Sequence, residues 1–141
     1  MPIDHPLLPR EGSVVMFMLV RRPDGGPTGY PMTGIMRDGE LAISTYRKAA
    51  KARYMLADDR VCCVVPDPDD PSRGVALYGH ARPAEADAFI SAVGSRGGDA
   101  AIAVPSEVRE TVRDRLESDK RMVFQIDVVD MRETGAPHAA A

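Results

Sequence analysis

GYPMTGIMRDGELAISTYRKAAKARYMLADDR, residues 29–60, sets the architecture of this chain. Asp38-Gly39 separates two apolar runs and marks a tight hairpin turn, because both central positions of such a turn need positive φ. Leu41 and Ile43 alternate with Ala42 and Ser44, the pattern of a half-buried strand. The strand ends in two hydroxyls, Ser44 and Thr45, and Thr45 is placed to N-cap a helix over about 46–57.

The charges on that helix run against its dipole. Arg47, Lys48, Lys51 and Arg53 crowd its beginning and Asp58 and Asp59 its end, at a cost of roughly 0.3–1 kcal/mol for each charge. An anion seated at the N-terminus, held by free N–H groups, hydroxyls and flanking cations, would account for the inversion. Arg47 and Lys51 share a face, as do Lys48 and Lys51. A solvated basic face accounts for the same charges without any ligand, and the helix alone does not separate the two.

Upstream, residues 1–12 carry Pro2, Pro6 and Pro9 and read as an extended arm on the surface. Residues 13–132 read as the folded domain and 133–141 as a loose tail. SVVMFMLVR (13–21) is apolar on both faces, as a central strand should be, and 23–27 is turn chemistry throughout. Residues 30–36 pair with 41–45 through the Asp-Gly turn; Pro31 cannot donate to a ladder and belongs at a strand end or bulge.

Downstream, 61–65 is a short strand, PDPDDPSR (66–73) an exposed connection, and 74–82 a returning strand. On that strand Val75, Leu77 and Ala81 share one face and Tyr78, His80 and Arg82 the other. Gly79 leaves room there for close approach by a ligand or by another backbone. Helices are expected over 84–93, begun by Pro83, and over 106–119, with Val108, Val112 and Leu116 as its stripe. A closing strand over 121–131 alternates Met122, Phe124, Ile126 and Val128 against Gln125 and Asp127. Met16, Met18, Met32 and Met36 fall on adjacent strands, where thioethers serve either as core or as packing for a flat ring.

With 141 residues, 44% apolar and 28% charged, the chain is one globular domain by length and composition. A net charge of −3 and a pI near 5.6 argue against nucleic acid as the main partner. The longest apolar run, 14–20, is far short of a membrane helix. MPIDHPLLPREG lacks a secretory pattern, so the cytoplasm is the expected compartment. Cys62 and Cys63 are adjacent and point to opposite strand faces, a poor arrangement for a disulfide or shared metal. No His or Cys pair has metal-ligand spacing, and there is no nucleophile elbow, P-loop or dinucleotide fingerprint.

The order GYPMTGIMRDGELAIST, then a basic helix ending ADDRVCCVV, then VALYGHARP, resembles the split β-barrel flavoproteins. These are the pyridoxamine 5'-phosphate oxidase-like group and its deazaflavin (coenzyme F-420) relatives, and the resemblance runs over about 14–131. It implies an antiparallel split β-barrel, mainly β, of about six strands with two or three peripheral helices. It also implies a homodimer with two cofactor sites, each built from both chains, binding FMN or coenzyme F-420. The phosphate-holding residues it implies are Ser44, Thr45, Lys48 and Lys51; the expected cofactor-binding set adds Arg47 from the helix face, Pro31, Met32 and Thr33 against the ring, and Tyr54, Gly79 and His80 nearby. Ala49 stands where the family is often basic, and Tyr54 where it often has Asn.

The activity so implied is an oxidoreductase transferring hydride between the cofactor and a small organic substrate, with no residue singled out as acid or base and no metal. Two other readings stay open. One is a non-catalytic flavin, deazaflavin or haem carrier, which the departures at Ala49 and Tyr54 favour; the other is a structural dimer with an empty cleft.

Overall fold

Asp38 and Gly39 both sit at positive φ, 52° and 77°, as the turn requires. In the computed structural model, which describes residues 2–85 and 120–135, this turn joins β2 (Pro27–Arg37) to β3 (Glu40–Tyr46). β1 (Gly12–Arg21) precedes them, and α1 (Ala50–Ala57), β4 (Arg60–Pro66), β5 (Gly74–Ala84) and β6 (Arg121–Thr134) follow. These strands close into a barrel in the order β1-β2-β3-β6-β5-β4, every neighbouring pair antiparallel. The mainly β, six-stranded architecture expected from the sequence is the one formed.

Strand alternation sends Val14, Met16, Met18 and Val20 of β1 inward, with Leu41 and Ile43 of β3, Val75, Leu77 and Ala81 of β5 and Met122, Phe124 and Ile126 of β6. Burying each large side chain is worth about 1.5–3 kcal/mol, and together they hold the barrel closed. Met16, Met18 and Met36 are plain core, and Met32 packs half-buried against it. Cys63 joins the core, where burial pushes its thiol up to about 12. Cys62 lies half-buried on the opposite face, and both are free thiols.

The N-terminal arm runs over the surface with Pro2, Asp4, Pro6, Pro9 and Arg10 exposed, but two of its side chains turn inward. Ile3 and Leu8 are buried in the core, and their apolar burial outweighs the extended habit of the prolines around them. The Ile3 N–H donates to the Gly39 carbonyl at 2.7 Å, and the Gly39 N–H donates to the Arg10 carbonyl at 3.2 Å. The arm therefore plugs the barrel at the hairpin end. Beside it the Leu7 N–H donates to His5 Nδ1 at 3.1 Å, and His5 Nε2 lies 3.5 Å from a Glu133 carboxylate oxygen.

Both long strands outrun their expected ends. Glu133 and Thr134 pair with Val75 and Gly74, so they belong to the barrel and not to a tail. Pro83 and Ala84 pair with Phe124 and Val123, so no helix begins at Pro83. The rest of the helix expected over 84–93, the helix over 106–119 and the tail from 136 lie outside the described residues.

The helix after β3 is shorter than its sequence pattern. Pairing of β3 with β6 continues to Tyr46↔Arg121, and the Arg47 N–H still donates to the Lys120 carbonyl at 2.9 Å. Sheet pairing thus holds Thr45 and Tyr46 extended, and α1 starts only after Ala49, which offers no side-chain cap. Thr45 is not the N-cap, and Arg47 and Lys48 precede the helix. Only Lys51 and Arg53 stand in its first turn, which carries no acid.

One apolar face stays uncovered. On the outer side of β1, Val15 is 68% and Phe17 50% exposed. That is unlike the strand buried on both faces expected from the sequence.

Candidate functional site

β2 and β3 form a hairpin at one end only. Their register runs from Arg37↔Glu40 to Ile35↔Ala42 and stops there. Beyond it β2 follows β1 back to Pro27, while β3 follows β6 to Tyr46. Among the described residues no ladder joins the two facing edges, Gly34 towards Thr28 and Ile43 towards Tyr46. α1 packs against β1 and β3 with Ala52 and Met55 buried beneath it. The barrel is therefore split at this end. Backbone groups along such an edge require partners from outside the ladder.

Two cations converge on the split. The Lys51 ammonium lies 5.1 Å from the centroid of the Tyr30 ring, on the β2 side. The Arg121 guanidinium, from the start of β6, stacks 4.6 Å from the Tyr46 ring centroid. Its Nε donates to Ser44 Oγ at 2.7 Å and its Nη2 to the Ser44 carbonyl at 2.9 Å. Burial, and after it the positive field of Arg121, lowers the Lys51 pKa below the ordinary lysine value. Lys51 forms no ion pair among the described residues. Two like charges drawn together in a half-buried cleft disfavour each other, and an anion between them would relieve the cost.

The expected site residues divide. Pro31 and Thr33 are exposed on β2, with Met32 half-buried between them, and together they form one lip of the split. Ser44, bonded to Arg121, stands at the other lip, while Lys51 rises from α1 beside Tyr30. Ser44 and Thr45 do not act as a pair, because adjacent strand residues point to opposite faces. Ser44 faces outward under Arg121, whereas Thr45 faces the core at 1% exposure, and its Oγ1 has no hydrogen-bond partner. Arg47 and Lys48 are exposed in the turn after β3.

The remaining residues are elsewhere. The Tyr54 side chain packs against the core, and its carbonyl accepts from the Asp58 N–H at the end of α1. Gly79 serves a bulge: β5 and β6 slip register at Tyr78/Gly79, and a Cβ on Gly79 would collide with the Asp127 carbonyl oxygen. The close approach there is by backbone. His80 faces outward, its Nδ1 2.8 Å from Asp59 Oδ1. It pairs with Asp127, about 20 Å along β6 from Arg121 at the usual strand rise. Arg121, which the sequence reading does not single out, stands beside the split through Ser44 and Tyr46. Only its place next to an apolar strand and its bulk as a cation could have flagged it.

Away from the split, a hollow of about 230 Å³ lies at the paired end of the hairpin. Ile35, Ala42 and Val123 form its floor, with Glu40 and Gln125 at its edge, bonded to each other at 2.8 Å. It contains neither Lys51 nor Arg121. No cluster of metal ligands exists among the described residues, and none of their helices is long and apolar enough to cross a membrane.

No protein-family model matches the chain, and no curated protein matches it by sequence. Solved structures do match. An F420 reductase aligns with a TM-score of 0.62 at 20% identity, covering 94% of this chain and 98% of that one. A protein from Listeria innocua provisionally assigned as a pyridoxamine 5'-phosphate oxidase aligns at 0.59 and 14% identity, covering 86% and 89%. A haem binding protein from Mycobacterium smegmatis aligns at 0.66 and 20% identity, covering 88% of this chain and 50% of that one. At these identities the likeness is one of fold, and the fold is the split β-barrel of pyridoxamine 5'-phosphate oxidase-like proteins.

Proposed function

From the split-barrel fold as premise, we propose that the cleft between β2 and β3 binds a phosphorylated flavin or deazaflavin, FMN or coenzyme F-420, and that the protein is an oxidoreductase of a small organic substrate. The observation that carries this reading is the convergence of Lys51 and Arg121 on the split. The donor set suits such a ligand: an ammonium, a guanidinium and a helix start without acids meet a phosphate. The edge of β2 at Pro31, Met32 and Thr33 offers backbone groups and apolar surface to a ring. When bound, the ring supplies the hydride chemistry. The residues of this chain bind and orient the cofactor, and the half-buried Tyr30 and Met32 limit water on the inner side.

A second copy of the chain completes the site in this proposal. The exposed Phe17 lies across from Pro31 on one side and Val64 on the other, and Val15 lies across from Thr33. The uncovered apolar face is thus continuous with the β2 lip of the split. Obligate dimer interfaces resemble a core cut in half, and a partner on this face would wall the cleft. Light scattering should report a dimer at micromolar concentration; a monomer would remove this part.

A carrier without turnover is the second reading, whether of flavin, deazaflavin or haem. It is favoured by Ala49, which stands where the resembling family is often basic, and by Tyr54, which packs against the core. Titration of the protein with FMN and coenzyme F-420, followed by absorbance and fluorescence, tests the binding reading. Binding that weakens steeply with salt supports it, because the grip is charge-assisted and half-exposed. Binding indifferent to salt, or no binding of either, overturns it. Turnover of the bound cofactor with a reductant and acceptor panel then separates enzyme from carrier.

A further inference from the structure

We propose that Arg121 is the second phosphate-holding cation of the split and that Ser44 acts through it, as a positioning residue, without touching the phosphate. This rests on the reading of the split as a phosphorylated-cofactor site and assigns its specificity for the phosphate.

Ser44 and Arg121 are 77 residues apart in sequence and meet because β3 pairs with β6 up to Tyr46↔Arg121. Three restraints from one strand then fix the guanidinium: the Ser44 hydroxyl at 2.7 Å, the Ser44 carbonyl at 2.9 Å and the face of Tyr46 at 4.6 Å. Arg121 takes part in further interactions as well. A guanidinium held in one orientation loses little freedom when it meets an anion, and its planar fork matches phosphate oxygens. Ser44, by contrast, is only 8% exposed. Its oxygen already accepts from Arg Nε, so it lies behind the cation and not at the cleft surface. The two residues form a unit in which the serine aims and the arginine binds. Lys51 supplies the other positive charge from α1, close enough to feel the field of Arg121.

The test is a double-mutant cycle read with three probes: FMN, coenzyme F-420 and unphosphorylated riboflavin. Arg121→Gln should weaken FMN or coenzyme F-420, whichever the wild type binds, about tenfold to hundredfold, the usual loss for a hydrogen bond to a charged group. Riboflavin affinity should not move. Ser44→Ala should give a several-fold loss confined to the phosphorylated probe, and the double variant should bind no worse than Arg121→Gln alone. Arg121→Lys keeps the charge without both bonds to Ser44 and should fall between. It also serves if Ser44→Ala folds poorly, as a melting curve on the same samples would show.

Losses that add in the double variant would place Ser44 on the phosphate directly and overturn its positioning role. Unchanged affinity in Arg121→Gln, with Lys51→Ala impaired, would overturn the assignment of Arg121 while the split keeps its anion. A wild type that binds FMN or coenzyme F-420 unaffected by either change would overturn the underlying reading itself, as would failure to bind any probe.

Discussion

The two ends of the β2–β3 pair are built from the same strands and solve opposite problems. At the hairpin end, Ile35–Arg37 pairs with Glu40–Ala42, the turn residues take positive φ and Ile3 plugs the opening. At the other end no ladder joins the strands among the described residues, α1 packs against β1 and β3, and Lys51 lies within the field of Arg121. One end minimises its own free energy through pairing and burial. The other leaves backbone edges outside the ladder and brings two cations near each other, a local cost that a bound anion would offset. A fold with rigid closure at one end can support an unsatisfied cleft at the other.

The contrast can be broken first at the plugged end. Ile3→Ala removes a buried side chain from the core and should cost about 2–5 kcal/mol of stability, read as a lower urea midpoint. Ligand affinity of the folded fraction should stay within about twofold of wild type, on the order of 0.4 kcal/mol. A loss of affinity comparable to the loss of stability would mean that the two ends are not separate in function.

A smaller effect sharpens the contrast inside β3. Thr45→Val replaces a buried hydroxyl that has no partner by a methyl group of similar shape. Such a change is neutral or stabilising, by up to about 1 kcal/mol, so the melting temperature should hold or rise. Cofactor affinity should not change, because Thr45 faces the core, on the opposite side of β3 from Ser44 and Arg121. A Thr45→Val variant with weakened binding would put that hydroxyl on the ligand.

The smallest expected effect is a pH dependence. Because the folded Lys51 pKa lies below its usual value, the folded state binds fewer protons than the unfolded state between the two pKa values. Stability of the free protein should therefore rise slightly with pH in that window. A bound anion favours the ammonium form, so affinity should fall as pH rises through the lowered value, on the acid side of 10.5. Lys51→Arg does not titrate there and should give a flat profile. A wild-type profile equally flat would detach Lys51 from the ligand.

How much of this was readable from the chain depends on how far apart the interacting residues are. The Asp38-Gly39 turn was legible because a dipeptide fixes its own φ values. The inward faces of β1, β3, β5 and β6 were legible because alternation repeats locally. The start of α1 was not, since the competitor for Thr45 and Tyr46 is a strand beginning at Arg121. The same separation hid the Arg121–Ser44 bond, whereas Lys51 drew notice through the inverted charges read on the helix. The surroundings of Gly79 and His80 were not legible for a related reason: a strand face shows which residues share it, not which neighbour or ligand it meets. The prolines of the arm gave no hint that Ile3 and Leu8 would be drawn into the barrel.

The most direct trial of the cleft is Lys51→Ala, titrated beside wild type with FMN and with coenzyme F-420 while the melting temperature is followed on the same samples. Affinity for the ligand that wild type binds should fall about tenfold to hundredfold. The melting temperature should hold or rise slightly, because the change removes a cation from the wrong end of the helix dipole and Ala favours helix. Unchanged affinity in Lys51→Ala, with wild type binding either cofactor, would contradict the account and move the phosphate away from the split.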